Sequence, residues 1–578
     1  MNRSSSEAER RRRLFTRALP LGAVALIAFI AGAVSGVREA PEREAAQRFV
    51  EAWARQDYAA MHAELSPRAA RRVSLADLRD AYLTAQETST LRTIDPEEPS
   101  DPASEGEVEV VSVPIRVGTV AFGEVEGDLR LAFEEGGIAW DQSAVFPGLR
   151  PGEELDANVD LAGRAPILAR GGAALAEGPA LDRSHPLGDS SLDVTGEVGV
   201  PDSEQQESLS RQGFPPGTPV GISGLEQAFN RRLAGRPGGE LRATGPDGER
   251  VLGQAEPRPG KAVRTTIDPD LQEATVAALA GRLGGIAALD ARTGAVRALA
   301  GSAFSVPRPP GSAFKIITTT AALQAGKVTL DEEFPVLNGI NVGGRVVYNA
   351  GGEYCGGDFR DSFAHSCNSV FAPLGVEVGE RALVETAKRF GFNREPALYN
   401  EAATRVIDPP QPSIPRDVGD DLDVGVSAIG QGEVLATPLV MASVAQTVAN
   451  DGVLAPTPIV VKPELGPERG AERVMSKRIA DQITELMIGV VEVGTGTAGA
   501  IPEAQVAGKT GTAELGPKPG QEGLPPGVPP EQYVDAWFAA FAPADRPRLA
   551  VAVNLIDADA SGGEVAAPAA AEVLSAGL

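Results

Sequence analysis

The chain has 578 residues, of which 42% are hydrophobic and 23% charged. That is ordinary for folded protein and too long for one core, so roughly three to five domains are expected. A net charge of −26 repels phosphates and argues against nucleic acid as a partner.

The N-terminus differs from the rest. Arg10 to Arg13 and Arg17 precede an uncharged run, Ala18 to Val37, of 20 residues. As a helix this run is long enough to cross a hydrocarbon core of roughly 30 Å. Basic residues before it and Glu39, Glu42 and Glu44 after it orient the N-terminus to the cytoplasm by the positive-inside rule. Residues 1–17 then read as a cytoplasmic tail and 18–37 as a transmembrane anchor, the chain's contact with a lipid bilayer. A cleaved signal peptide is the competing reading, because Ala31-Gly32-Ala33 resembles a cleavage site. Either way the body is exported and folds where a disulfide persists.

Residues 41–150 read as a small α+β domain. Ala46, Phe49, Val50 and Trp53 have helical spacing, "SLADLRDAYLTA" suggests a second helix, and residues 107 to 140 alternate as an antiparallel meander. Residues 151–262 are rich in Gly, Pro and turn signals and read as an irregular, mostly β module. A compact domain begins at 263. Thr266 or Asp268 can cap a helix there, and "GGIAALDARTGAVRALAG" gives two strands around Thr293-Gly294. The middle reads as largely helical. "QVAGKTGTAEL", "YVDAWFAAFAP" and "RLAVAVNLIDA" add three strands, and "AAPAAAEVLSAGL" a closing helix. The result is an α/β sandwich whose sheet draws strands from both ends of the domain.

Three widely spaced histidines, His62, His185 and His365, offer neither a metal cluster nor a triad base with a supporting motif. Two cysteines, Cys355 and Cys367, lie 12 positions apart. Taken alone, Cys367 in "HSCNS" could be a nucleophile, a metal ligand, half of a disulfide, or part of a polar loop serving another nucleophile.

Lysine is more informative: the chain has only eight, all after residue 260. Lys315 ends the one Ser-x-x-Lys in the chain, "SAFK". A helix expected to begin at Ser312 puts Ser312 and Lys315 on one face, with Ser312 at the positive end of the helix dipole. A desolvated Lys315 could accept the serine proton. The near-copy "GSAFSV" puts Ser305 where a lysine would be needed to serve Ser302. The one Ser-x-Asn, Ser366 to Asn368, follows Ser312 by 54 residues, and the one Lys-Thr-Gly, Lys509 to Gly511, follows Ser366 by 143. Ser366 can relay a proton, and Asn368 can orient Lys315 and bond a substrate amide. Lys509 and Thr510 offer a cation and a hydroxyl to a carboxylate, and Gly511 leaves room for an acyl group. The N–H groups of Ser312 and Thr512 can form an oxyanion hole.

This ordered set resembles the serine-acylated β-lactam-binding enzymes, specifically the class B penicillin-binding proteins, monofunctional peptidoglycan D,D-transpeptidases. Further stretches carry the resemblance. "RAPILARGGAALA" is similar to a family stretch, with Ala169 where Asp is usual. "GISGLEQAFN", "TTIDPDLQ" and "AIGQGEVLATPLVMA" look like the family's linker, domain entry and Gly-Gln-Gly segment. "WDQSAVFPGLRPGE" resembles the end of the N-terminal extension in methicillin-resistance-type members, a cone of the nuclear-transport-factor kind. The resemblance implies an anchor, a cone-like α+β domain at 41–150, a dimerisation or pedestal module at 151–262, and at 263–578 a β-lactamase-like transpeptidase domain. That last domain would carry an antiparallel five-stranded sheet between helices.

It also implies an outward-facing enzyme. Ser312, Lys315, Ser366 and Asn368 would be catalytic, and Lys509, Thr510, Gly511 and Thr512 would bind substrate. Peptidoglycan stem peptides and β-lactams would acylate Ser312, with no metal or organic cofactor required, and a membrane glycan polymerase is an expected partner. A D,D-carboxypeptidase shares these motifs. A non-catalytic β-lactam sensor or cell-wall scaffold is a further alternative. A β-lactamase would need a carboxylate such as that in "EPALYN". With Ser366 and Asn368 facing Ser312, Cys367 turns inward, so a Cys355–Cys367 disulfide is expected over two free buried thiols.

Overall fold

The structure, a computed structural model, describes residues 40–106, 108–394, 410–462, 470–518 and 532–578. The expected anchor at 18–37 and the "EPALYN" stretch lie outside these residues. Among the described residues no helix is long and apolar enough to cross a membrane. The chain forms two compact units, one of residues up to 162 with 206–216 and 236–258, the other of 163–205, 217–235 and 259–578.

In the first unit, α1 (Pro41–Ala54) starts with Pro at its first turn and Glu42 and Glu44 beside its positive end, and buries Ala46, Phe49, Val50 and Trp53. Helix α2 (Leu75–Ser89) is opened by a capping box between Ser74 and Asp77 and closed by left-handed Thr90. Strands β1 (Leu91–Pro96), β2 (Val108–Thr119) and β3 (Glu124–Glu134) form an antiparallel sheet. Val111, Val113, Ile115 and Val117 of β2 turn inward at every second position. Phe49, Trp53 and Tyr58 pack against Tyr82, and the Tyr82 hydroxyl donates to Ala144 O at 2.7 Å. Strands β4 (Glu154–Asp160), β5 (Gly238–Gly245) and β6 (Gly248–Ala255) make a second sheet in this unit. Segments from within the span 151–262 therefore pack in both units.

In the second unit, a buried ion cluster holds the module that precedes the large domain. Glu226, fully buried, accepts from Arg164 Nε at 2.7 Å and Arg183 Nε at 2.8 Å. The large domain follows in chain order: α3 (Pro269–Leu279), β7 (Gly284–Asp290), β8 (Val296–Gly301), α4 (Lys315–Ala325), α5 (Phe359–Ala364), α6 (Asn368–Val378), α7 (Pro438–Ala449), α8 (Lys477–Glu492), β9 (Ala507–Pro517), β10 (Gln532–Ala542), β11 (Leu549–Leu555) and α9 (Ala567–Gly577). Five strands pair antiparallel in the order β8-β7-β11-β10-β9, so the sheet is drawn from both ends of the domain, with β9 at its edge. Alternate residues serve two cores. Ile286, Phe538, Val551 and Val553 pack with α3 and α9, while Ala287, Trp537, Phe541 and Ala552 pack with α4 and α7.

The structure differs from the sequence reading in two places. Ser312 lies in a one-turn 3₁₀ helix, Gly311–Phe314, with the α-helix beginning only at Lys315. The middle of the domain is also less helical than expected. Glu333–Leu337 pairs with Cys355–Asp358, and Gly339–Val342 pairs with Arg345–Tyr348. Tight turns at Gly343 (φ +56°) and Gly344 (φ +87°) permit the second of these hairpins.

Candidate active site

The chain reaches Ser312 through Pro309 and Pro310. Gly311 has φ +52° and donates to Gly430 O at 2.9 Å. A Cβ at Gly311 would lie 2.6 Å from Thr512 O, so glycine alone allows both the left-handed turn and the contact with β9. Residues three apart eclipse in a 3₁₀ turn, which sends Ser312 and Lys315 the same way. Ala313, Phe314 and Ile316, all buried, anchor the turn in the core.

Lys315 is fully buried. Its ammonium donates to Ser366 O at 2.8 Å, Ser366 Oγ at 3.2 Å and Asn368 Oδ1 at 2.7 Å, so all three of its protons are engaged. Lys509, also fully buried, reaches the same hydroxyl from β9, donating to Ser366 Oγ at 3.0 Å and Thr510 O at 3.1 Å. Ser366 Oγ thus accepts from both lysines and keeps its own proton to donate. Asn368 Nδ2 donates to Tyr348 O at 2.9 Å, which orients its carbonyl toward Lys315 and engages one of the two amide protons.

The loop bearing these groups is held tightly. Ser366 has φ +61°, a conformation that persists only when its surroundings enforce it. Cys367 N donates to Ser362 O at 2.9 Å, and Cys367 is joined to Cys355 by a disulfide with Cα atoms 5.4 Å apart. On the other side, Asn349 accepts from Ser369 N and donates to Leu337 O and Glu353 O. The two unexpected hairpins and the disulfide together fix Ser366 and Asn368.

The two lysines share a dry site. Neither makes an ion pair with a carboxylate among the described residues. Phe371 lies 5.2 Å from Lys315 Nζ and Phe363 lies 5.6 Å from Lys509 Nζ, so aromatic faces add to the support that the neutral oxygens give the cations. Burial, and then repulsion from Lys509, holds the Lys315 amine well below its ordinary range. Burial alone lowers Lys509 to about 7. Two ammonium groups this close disfavour double protonation, so the pair can hold one proton and leave one amine as a base.

On β9, Lys509, Thr510, Gly511 and Thr512 lie along the sheet edge. A Cβ at Gly511 would lie 2.4 Å from Pro310 O and 3.1 Å from Ala313 N. The glycine therefore makes room for the backbone of the Ser312 turn. Thr512 Oγ1 accepts from Gly562 N at 3.3 Å, and Gln431 Nε2 donates to Thr512 O at 3.4 Å. Thr510 Oγ1 lies 2.5 Å from Thr495 Oγ1. His365 is exposed and bonds neither lysine.

Sequence reasoning missed Phe363, Phe371, Tyr348, Gln431 and Thr495. Phe363 and Phe371 flank Ser366 by three and five positions in "FAHSCNSVF", a detectable signal. Tyr348 acts through its carbonyl, which no side-chain pattern reveals.

Comparison with known proteins follows this geometry. Residues 284–575 match the family described as the penicillin binding protein transpeptidase domain, and residues 162–265 match the penicillin-binding protein dimerisation domain. The chain is 35% identical over 284 residues to a protein named peptidoglycan D,D-transpeptidase PbpA from Mycobacterium tuberculosis, covering 46% of this chain and 54% of that one. The protein of the same name from Mycolicibacterium smegmatis is 35% identical over 294 residues, covering 46% and 54%. The match thus spans about half the length of these relatives. Among solved structures, the ceftriaxone acyl-enzyme complex of penicillin-binding protein A from M. tuberculosis aligns with TM-score 0.56 and 29% identity, covering 72% of this chain and 98% of that one. The D,D-transpeptidase domain of a peptidoglycan glycosyltransferase from Eggerthella lenta aligns with TM-score 0.55 and 27% identity, over 72% and 98%.

Proposed function

Because the chain belongs to the penicillin-binding protein transpeptidase family, we propose that it cross-links peptidoglycan stem peptides through an acyl-serine intermediate at Ser312. The observation that carries this reading is one hydroxyl, Ser366 Oγ, bonded by two fully buried lysines at 3.2 and 3.0 Å.

In this mechanism neutral Lys315 takes the Ser312 proton as Oγ attacks the penultimate D-alanine carbonyl. The tetrahedral oxyanion is met by the N–H groups of Ser312 and Thr512. Ser366, its proton free to donate, passes a proton to the departing terminal D-alanine amine, and Lys315 restores it. Asn368 holds Lys315 in place through Oδ1. Lys509, kept as the cation of the pair, and the hydroxyls of Thr510 and Thr512 bind the terminal carboxylate. The amine of a second stem peptide then attacks the acyl-enzyme. β-Lactams acylate Ser312 by the same route, and their acyl group stays on it.

The proposal extends to the chain's setting. Residues 18–37 anchor it in the cell membrane, and the catalytic domain faces outward, where the Cys355–Cys367 disulfide is stable. The helices and sheet of residues 41–150 support a nuclear-transport-factor-like extension of the methicillin-resistance type. A membrane glycan polymerase supplies the strands to be joined.

The test uses full-length protein in detergent with a fluorescent penicillin, followed by a denaturing gel. A stable labelled band is expected for the wild type and none for Ser312→Ala. Labelling that survives Ser312→Ala overturns the nucleophile assignment. Incubation with stem pentapeptide and an acceptor amine should yield cross-linked product. Tetrapeptide alone, with water as the acceptor, would make the enzyme a carboxypeptidase.

A further inference from the structure

Thr495 follows α8 in "VGTGT" and touches two of the three motif segments at once. Its N–H donates to Ala364 O at 3.1 Å, two residues before Ser366. Its Oγ1 lies 3.4 Å from Ala364 O and 2.5 Å from Thr510 Oγ1. One hydroxyl proton thus has two possible acceptors, and the Thr510 oxygen is nearer by almost an ångström. The 3.4 Å separation from Ala364 O is at the limit of a useful bond, and that carbonyl already accepts the Thr495 N–H. The 2.5 Å bond admits either hydroxyl as donor, and because 3.4 Å is a weak alternative we assign the Thr495 proton to Thr510. Thr510, with one side of its oxygen occupied as an acceptor, must turn its own O–H elsewhere. No carbonyl or carboxylate of the described residues takes it. Its neighbours on the strand are Lys509 and Thr512, the other groups assigned to an anion.

We propose that Thr495 is a positioning residue for recognition of the substrate's terminal carboxylate: it donates to Thr510 and so directs the Thr510 O–H at the incoming anion. The inference rests on the acyl-serine reading above and deepens it. It assigns carboxylate specificity to a residue outside the three motifs. Its main-chain bond to Ala364 O survives loss of the hydroxyl, so the hold on the Ser366 loop is kept and only the contact with β9 is lost. Without that hydroxyl, Thr510 is free to donate to other oxygens, and its bond to a carboxylate is no longer preorganised.

The experiment compares wild type, Thr495→Val and Thr495→Ser. Acylation rates are measured with a D-alanyl thioester substrate ending in a free carboxylate and with its methyl ester. The wild type should prefer the free acid. Val keeps the shape of threonine and removes the hydroxyl, so the preference should fall by about 10-fold, mainly through a higher KM, as expected for one charge-assisted hydrogen bond. Rates on the ester should change little, and Thr495→Ser should restore the preference. If Thr495→Val slows both substrates equally, the hydroxyl only supports the fold and the proposal fails. An unchanged ratio at an unchanged melting temperature also overturns it. Failure of the wild type to form any acyl-enzyme would refute the acyl-serine reading, which separates the two outcomes.

Discussion

Replacing Lys509 by Met tests whether the two buried lysines govern each other's charge. Met keeps the unbranched stem that passes Phe363 and removes the cation. Both ammonium nitrogens reach Ser366 Oγ, at 3.2 and 3.0 Å. Two unit charges within about 6 Å of each other repel by about 3 kcal/mol at an effective dielectric of ~20. Lys315 is held low first by burial and then by Lys509, and the variant removes only the second cause. In the proposed mechanism acylation needs the neutral Lys315 amine, so its rate should rise with pH as that amine loses its proton. Without Lys509 the amine keeps its proton to higher pH, and the acid limb should move up. The assay is the second-order rate constant for acylation by a penicillin methyl ester between pH 4 and 10, with each enzyme scaled to its own plateau. An ester removes the contribution of Lys509 to carboxylate binding and leaves the midpoint as the readout. A midpoint that stays put, or moves down, would refute the reasoning: either Lys315 is not the base or the site is wet enough to screen the pair.

Two other outcomes follow from the geometry. Removing the Cys355–Cys367 disulfide, by reduction or by changing both residues to Ser, frees a loop closed across 12 positions, worth about 3 kcal/mol in the chain-entropy model. The melting temperature should fall by several degrees, and acylation should slow because Ser366 loses support for its left-handed conformation; unchanged acylation after confirmed reduction would show that Asn349 alone holds the loop. Gly511→Ala places a Cβ 2.4 Å from Pro310 O, and displacing the Ser312 turn by even an ångström should slow acylation by about 100-fold; a rate within threefold of wild type would show that the turn can yield.

Legibility in the sequence followed the chemistry. Ser312, Lys315, Ser366, Asn368 and Lys509 stood out because each occupies a single-occurrence motif; the structure bonds both lysines to Ser366 Oγ and Lys315 to Asn368, and the 3₁₀ turn puts Ser312 on the same side as Lys315. Helix α1 was legible from Phe49, Val50 and Trp53 because amphipathic spacing needs only local information. The hairpins between 333 and 358 were not legible. Their strands have four or five residues, too few to show a period, and they are tied to the Ser366 loop by the Cys355–Cys367 disulfide and by Asn349. The partner of β5 was hidden for another reason. Residues 238 to 244 pair with 154 to 160, and no local pattern specifies a contact across so much intervening chain. The 3₁₀ start at Ser312 was missed because Gly430, more than a hundred residues away, takes the Gly311 N–H.

That last point bears on how the site is built. The two N–H groups assigned to the oxyanion hole belong to Ser312 and Thr512, from segments two hundred residues apart. They are brought together by main-chain packing more than by side chains. Gly311 lies against Thr512 O, and Gly511 lies against Pro310 O and Ala313 N. Each glycine faces the segment that carries the other donor, so the spacing between the donors is set where a single methyl group would spoil it. The lysines, by contrast, are adjustable. They hang on unbranched stems and share one hydroxyl, and two ammonium groups so close disfavour double protonation. The site thus separates two tasks. Backbone contact between a turn and a sheet edge fixes where negative charge will develop, and a pair of dry lysines decides which group holds the proton. Substitutions at Gly311 or Gly511 should therefore lower acylation at every pH, whereas substitutions at Lys509 should shift the pH at which it occurs.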